Sequence, residues 1–553
     1  QDVVMQKLSL PSRMSSQVQS MTALLSGGGV EYSRRDHIFG FMKVAATISQ
    51  KAHRMWGVDT SGADRGTIRW SVDLPKDAVF HAMVHGTANS PMSLHGINGG
   101  THSREILVLS PSQSSVDWKC VDGTNGAIHA QGAVDISSPV LQVIPIYGSA
   151  GGCRQTSLLL HEDMSLTVTP NDAETVALVQ QQLKAAKNGL FTHVVDKETS
   201  AIQAFHISES SASPGTFATT QVGRTFFADE KIVTVSYPIR DEVVQSMCTI
   251  LGDDSLLLKY INPHLAAVIT MSNTVDASPT ELAASIDNKD KKPRKPVGVG
   301  DAATPDATPL SVPNMFVNLV DTVSGRVVHR ASHYNADPNS NVAAVVSENW
   351  VLYSFVNSKT RRTELGVLTM HEGMIESKGI TMFSSPDQAL EFSSLDARSS
   401  KPVVLAKTYT FPKTITALGT TATRGGISSR KILVGSADGK ITSIDRAMLE
   451  TRRPVGEVKD AEKKEGLFPY KELIPEVSIM ALNYNRTIES IQSIVSTPTS
   501  LESQSLVFAF GGPDLFFTRT SPSRGFDLLP DSFSKLLVSI VTVGLVIVLF
   551  VVK

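Results

Sequence analysis

The sequence predicts a mainly β chain with a helix at each end. Three observations carry this. Short apolar runs of alternating pattern, separated by polar turns, recur from about residue 45 to 534. The opening segment has helical spacing instead. The closing segment, "KLLVSIVTVGLVIVLFVVK", is uncharged from Leu536 to Val552, 17 residues.

The opening segment comprises residues 1–44. Val18, Met21 and Leu25 recur at helical spacing, and Gly27–Gly29 stop that helix. Ile38, Phe39, Phe41 and Met42 follow basic Arg34 and Arg35. This amphipathic pattern fits a helix lying in a membrane interface. It equally fits a helix packed on a soluble core.

Residues 45–275 carry the first part of the β region. "MWGVDTSGADRGTIRW" (Met55–Trp70), "ILVLSPSQSSVDW" (Ile106–Trp118) and "THVVDKETSAIQAF" (Thr192–Phe205) each read strand, polar turn, strand. "FVNLVDTVSGRVVHR" (Phe316–Arg330) and "ILVGSADGKITSIDR" (Ile432–Arg446) repeat the pattern in residues 314–534. Trp70 and Trp118 are 48 residues apart. A period of about 40–50 residues with hairpins inside it predicts the blades of a β-propeller, of WD40 or quinoprotein-like kind. The alternative is a series of hairpins in β-sandwiches. Residues 276–313 interrupt the pattern. They are rich in Pro, Ala, Asp and Lys and lack aromatic residues. Such a segment buries too little apolar surface to offset its ordering entropy, so a disordered surface insertion is expected. Its basic cluster, Lys289, Lys291, Lys292, Arg294 and Lys295, reads as a solvated loop rather than a nucleic-acid signal. A net charge of −2 agrees, since it supplies no general attraction for nucleic acid.

The closing segment, residues 535–553, reads as a single transmembrane helix that the end of the sequence truncates. At about 1.5 Å per residue, 17 residues lie at the lower limit for a hydrocarbon core of about 30 Å. Ser539, Thr542 and Gly544 are small or hydroxylated and suit helix packing within a bilayer. The chain begins at Gln1 without a leader, as expected of an internal or processed piece.

Chemistry-bearing motifs are sparse. The sequence has no G-x-x-x-x-G-K-[ST] loop, H-E-x-x-H helix, C-x-x-C pair or G-x-S-x-G elbow. His161, Glu162 and Asp163 are adjacent, which on a strand sends neighbours to opposite faces and away from a shared metal. No catalytic, cofactor-binding or metal-ligating residue is assigned. Three cysteines, Cys120, Cys153 and Cys248, leave at least one without an internal partner; Cys120 and Cys153 can pair in an oxidising compartment. Asn485-Arg486-Thr487 is an N-glycosylation sequon, usable only on the luminal or extracellular side.

The second half resembles a known family on several motifs in order. "VVSENWVLYSFVNSKTRRTELGVL" (Val345–Leu368), "RGGISSRKILVGSADGKITSIDRAMLETRRP" (Arg424–Pro454), "LFPYKELIP" (Leu467–Pro475), "NYNRTI" (Asn483–Ile488), "LESQSLVFAFG" (Leu501–Gly511) and "FTRTSPSRGFDLL" (Phe517–Leu529) are similar to segments of subunit 1 of the endoplasmic reticulum membrane protein complex. "LGDDSLLLKYINPHLAAVIT" (Leu251–Thr270) and, faintly, "DHIFGFMKV" (Asp36–Val44) extend the likeness. Gly425–Gly426 carries one glycine more than the family pattern, and residues 45–244 match weakly. The resemblance implies a luminal propeller, an interfacial helix and one membrane helix with a cytosolic C-terminus. It implies a non-catalytic scaffold without cofactors. Its partners would be the other subunits, the lipid bilayer and client membrane proteins, tail-anchored and multipass, whose insertion and maturation the complex supports. Trp350, Tyr353, Arg361 and Arg362 are candidate interface residues, although the two aromatics also suit a core. The competing expectation is a membrane-anchored quinoprotein-like propeller enzyme, prompted by "VDTSGADRGTIRW".

Overall fold

The computed structural model describes residues 39–522, apart from 61–64, 85–104, 147–154, 187–188, 211–214, 240–241, 273–312, 376–400 and 476–480, and residues 535–552. Most of the opening segment, the insertion, the basic cluster and Cys153 lie outside these. The described chain folds into seven antiparallel sheets that form the blades of a β-propeller.

In chain order, β1 (Val44–Ser49), β2 (Arg54–Asp59) and β3 (Ile68–Asp73) make the first sheet. The second contains β4 (Ala82–Val84), β5 (Glu105–Pro111), β6 (Ser115–Asp122) and β7 (Ile128–Asp135). The third contains β8 (Val140–Ile146), β9 (Thr156–His161), β10 (Ser165–Thr169), β11 (Leu190–Asp196), β12 (Ala201–Glu209) and β13 (Phe217–Phe226), with helix α1 (Ala173–Ala185) after β10. Next come β14 (Glu230–Ser236), β15 (Cys248–Ile250), β16 (Leu256–Lys259), β17 (Leu265–Ser272), β18 (Pro313–Asp321) and β19 (Arg326–Tyr334). Of these, β14, β17, β18 and β19 form the fourth sheet. β15 and β16 join β20 (Ala343–Ser347), β21 (Trp350–Asn357), β22 (Arg362–Ile375) and β23 (Val403–Phe411) in the fifth. β24 (Ile415–Thr420), β25 (Lys431–Ser436) and β26 (Ile441–Asp445) form the sixth. After a short helix α2 (Asp460–Lys464), β27 (Ile491–Pro498), β28 (Ser505–Gly511) and β29 (Asp514–Thr520) form the seventh. All five hairpins read from the sequence are present, as β2–β3, β5–β6, β11–β12, β18–β19 and β25–β26.

Neighbouring sheets share buried apolar clusters. Met55, Trp70 and Val72 of the first meet Ile106, Val108 and Val121 of the second. Leu265, Ile269 and Val317 of the fourth meet Val351, Tyr353 and Leu368 of the fifth. Trp350, Leu365 and Tyr409 of the fifth meet Ile432, Val434 and Ile444 of the sixth. The third sheet is a double blade: its two three-stranded halves pair only at Ser165↔Ala218 and Leu166↔Phe217. Leu158 and Leu160 of one half face Phe205 and Ile207 of the other, and Val179 of α1 completes that cluster. Asp172 caps α1 by accepting from the Thr175 amide at 2.7 Å.

A recurrent device sets the aromatic spacing. Trp70 pairs across from Gly57, Trp118 from Gly132 and Tyr353 from Gly366. A methyl group on Gly57 would meet the Trp70 ring at 2.1 Å, and one on Gly366 would meet Tyr353 at 2.2 Å. Each ring therefore lies over the glycine of the adjoining strand, so the period of the tryptophans is a period of ring-on-glycine pairs.

The start of the ring differs from expectation. Phe39 and Gly40 form a turn, and the chain then runs extended into β1, so 39–44 belongs to the ring rather than to a helix. Gly40 adopts φ 68°, which breaks a helix, and Phe41 gains burial in the ring. At the other end, α3 (Lys535–Val552) is helical over 18 residues, about 27 Å. Among the described residues no helix is long and apolar enough to cross a membrane; the side chains of α3 are described only over 537–545. Cys120 is disulfide-bonded and Cys248 is a free thiol.

Candidate functional site

The motifs quoted separately in the sequence converge on contacts between blades. Glu348 and Asn349 are the two-residue turn between β20 and β21, with Glu348 at φ 49°. Its carboxylate lies 3.0 Å from Lys259 Nζ on β16, 3.4 Å from Arg430 Nε before β25, and 3.8 Å from Arg446 after β26. Arg430 also pairs with Glu242 at 3.1 Å. Glu242 in turn accepts from Ser347 Oγ at 2.6 Å and from the Glu348 amide at 2.8 Å. The Arg430 side chain is 4% exposed and that of Glu242 8%, so the lock is essentially dry. Burial disfavours the Glu348 carboxylate, but Lys259, Arg446 and Arg430 outweigh it and hold the group below the usual range. Arg446 also lies over the Trp350 ring at 5.3 Å.

Two further locks use the remaining motifs. The amides of Gly425, Ile427 and Ser428 donate to Glu502 at 2.8, 2.8 and 3.0 Å, tying the sixth sheet's loop to the seventh. Arg453 donates to the carbonyls of Met448, at 2.6 Å, and of Phe468 and Pro469, and stacks on Phe468 at 4.3 Å. Asn483 donates to the carbonyls of Gly439 and Arg486, both at 2.8 Å, and so shapes the turn that carries the sequon.

Sequence reasoning named the segments but missed the residues of the lock. Lys259, Glu242, Arg430 and Arg446 had a signal: charges set hard against strand-forming runs. Trp350 and Tyr353, candidate interface residues, are each 1% exposed. They sit on opposite faces of β21, a strand covered on both sides, and so are core residues rather than interface anchors. Tyr353 also bonds His333 Nε2 at 2.6 Å. Arg361 and Arg362 are exposed at the turn between β21 and β22. Asn485 is exposed on its turn. On α3, Ser539 and Thr542 share a face, whereas Gly544 stands about 200° round from Thr542 at 100° per residue, so the three make no single packing stripe.

One arrangement bears on catalysis. Ser110 Oγ lies 2.9 Å from His81 Nδ1, and His81 Nε2 lies 3.0 Å from His53 Nδ1. Burial and the neighbouring His53 hold His81 below its ordinary value. Ser110 is 2% exposed, so this chain of bonds joins the first two blades without offering a nucleophile to solvent. Among the described residues no three His, Cys, Asp or Glu side chains gather to hold a metal ion.

The family model described as "ER membrane protein complex subunit 1, second beta-propeller" matches residues 40–523. The chain belongs to that family. It is 31% identical over 424 residues to ER membrane protein complex subunit 1 of Gallus gallus, covering 76% of this chain and 37% of that protein. The Xenopus laevis protein of the same name is 32% identical over the same shares of each chain. The Schizosaccharomyces pombe protein is 26% identical over 56% of this chain and 30% of its own length. The chain thus spans little more than a third of the vertebrate relatives it matches. The matched region begins and ends at the two sides of the ring's closure.

Proposed function

We propose that this chain is a non-catalytic scaffold and anchor within an endoplasmic reticulum membrane protein complex. The propeller stands in the lumen, α3 crosses the bilayer once, and the C-terminus is cytosolic. The partners are the other subunits, the bilayer and client membrane proteins, tail-anchored and multipass, whose insertion and maturation the complex supports. The observation that carries this reading is the family match around the whole ring, with its motifs engaged in locking one blade to the next.

Other features support it. The disulfide at Cys120 fits an oxidising compartment. Asn485 is exposed on a turn, where a luminal glycan is accommodated. Leu537, Val538, Ile540, Val541, Val543 and Leu545 of α3 are all exposed, which suits lipid or partner helices. Thr542 Oγ1 donates to the Val538 carbonyl at 2.7 Å, so its hydroxyl needs no water. A methyl group on Gly544 would meet nothing within 4 Å, leaving room for a neighbouring helix. Arg361 and Arg362 remain the proposed subunit contacts on the ring.

The test is affinity purification of the tagged full-length protein from detergent-solubilised membranes, with mass spectrometry of what accompanies it. A stoichiometric set of membrane subunits is expected. Recovery of the chain alone, stable and monodisperse, would overturn the reading.

A further inference from the structure

The first two sheets are joined by more than their apolar cluster. Gln50 and His53 lie in the β1–β2 turn, His81 immediately precedes β4, and Ser110 lies in β5. Gln50 clamps the backbone of His81: its Nε2 donates to the His81 carbonyl and its Oε1 accepts from the His81 amide, both at 2.8 Å. The His53 carbonyl accepts from the Leu74 amide at 2.8 Å, which ties the turn to the segment leading to His81. Held from both sides, the two imidazoles meet edge to face with ring centres 5.3 Å apart. His53 Nδ1 lies 3.0 Å from His81 Nε2, and His81 Nδ1 lies 2.9 Å from Ser110 Oγ.

Proton counting limits what this pair can carry. Two neutral rings hold two N–H hydrogens over four nitrogens. The bond between them needs one hydrogen, and only one, on the two facing nitrogens. Ser110 Oγ can donate or accept, so His81 Nδ1 is satisfied with or without its hydrogen. The pair therefore takes one extra proton on an outer nitrogen and stays bonded. A second extra proton puts hydrogens on both facing nitrogens and sets two cations side by side. The charged groups of the surrounding elements are engaged or exposed. Arg54 pairs with Asp73 at 2.6 Å, and Lys119 Nζ donates to the Asp73 carbonyl at 2.9 Å. Lys51, Lys76 and Asp77 stand exposed on their turns. Asp117 on β6 is the cross-strand neighbour of Ser110. Among the described residues, no carboxylate bonds to either ring. Burial, and then His53, lower His81 from its ordinary value, which acts in the same direction.

We propose that the His53–His81 pair is an acid-sensitive latch between the first and second sheets, bonded at neutral pH and released when both rings are protonated. The released pair binds a proton that the bonded pair cannot, so opening gains as pH falls below about 6.5. The first sheet also flanks the closure of the ring, so release loosens a sheet on the side away from that seam.

The experiment is hydrogen exchange on the full chain between about pH 7 and about pH 5, with rates corrected for intrinsic exchange. Segments 50–54 and 78–84 report the latch, and 432–436 in the sixth sheet is the reference. Opening at the latch should rise about twentyfold over this range, the effect of one proton on a ring of ordinary affinity, while the reference stays within about threefold. His53→Asn suits the positive φ of 46° at this position and cannot be protonated. It should cut the acid response below about fivefold, as should His81→Gln. A full response retained in His53→Asn but lost in His81→Gln would assign the effect to burial of His81 alone and overturn the latch. So would a flat response in the parent, or equal acceleration at 432–436, which would mean that the whole ring opens.

Discussion

The junction between the fifth and sixth sheets and the junction between the seventh and first close the same ring by different means. The former combines an apolar cluster, Trp350, Leu365, Tyr409, Ile432 and Val434, with a dry ionic lock around Glu348 and Arg430. In the latter, the Ser500 amide donates to the Phe39 carbonyl at 3.0 Å, and Phe41 packs beneath Arg519. Among the described residues no buried apolar cluster draws on both the seventh and first sheets. Stability is thus uneven round the ring, and the closure is expected to open locally well before the locked junction.

The largest expected effect is at the lock. Glu348→Ala leaves Lys259, Arg430 and Arg446 facing a vacated, buried position and should cost about 3–5 kcal/mol, read as a lower denaturation midpoint. A cost below about 1 kcal/mol would show that the lock is solvated and that the contrast between junctions is false.

Acidification should act next, in the apolar core between the fourth and fifth sheets. Burial lowers His333 from 6.5 to about 4. The unfolded chain therefore takes up the proton first, and stability falls as pH drops from about 6.5 to about 4, then levels off for this group. The full effect is up to about 3 kcal/mol on the linkage scale. Urea midpoints measured across that range should slope in the parent and flatten in His333→Gln. Glu348 is depressed instead of raised, so its stabilisation is present above about 4.5 and is lost as pH falls through its lower folded value.

At the closure, Arg519→Ala should cost only about 0.5–1 kcal/mol, the worth of an exposed cation over a ring. Hydrogen exchange should nevertheless rise at 39–43 and 500–504 without changing at 345–355. Uniform acceleration at both junctions would mean that the ring opens as one unit. Smallest of all, Arg361→Ala and Arg362→Ala should each alter stability by less than about 0.5 kcal/mol. Reduced recovery of partner subunits by these variants would mark the turn as a contact. Unchanged recovery would leave it a solvated edge.

Much of the ring was legible because hairpins announce themselves locally. Asp, Ser and Gly at the turns and alternation in the strands located five hairpins, and the tryptophan period located the blades. The double third blade was not legible, since its halves join through β10 and β13, which are separated by a helix and two strands. The lock was also hidden. Glu242, Lys259, Glu348 and Arg430 are spread over nearly 190 positions, and periodicity carries no information about which distant charges meet. Trp350 illustrates the remaining limit. Sequence shows a large aromatic on a strand, but only packing tells whether both faces of that strand are covered.

The placement of the chain's two ends has a mechanical consequence. Polypeptide enters the ring at Phe39 and leaves it after Thr520, on the two sides of one seam. Tension along the C-terminal helix would therefore be delivered to the joint with the fewest apolar contacts, where β29 can be peeled from β28 one hydrogen bond at a time. The ring resembles a clasp whose tether is sewn to its own catch: a steady hold at the catch keeps it shut, and a sharp pull is felt there before any other blade.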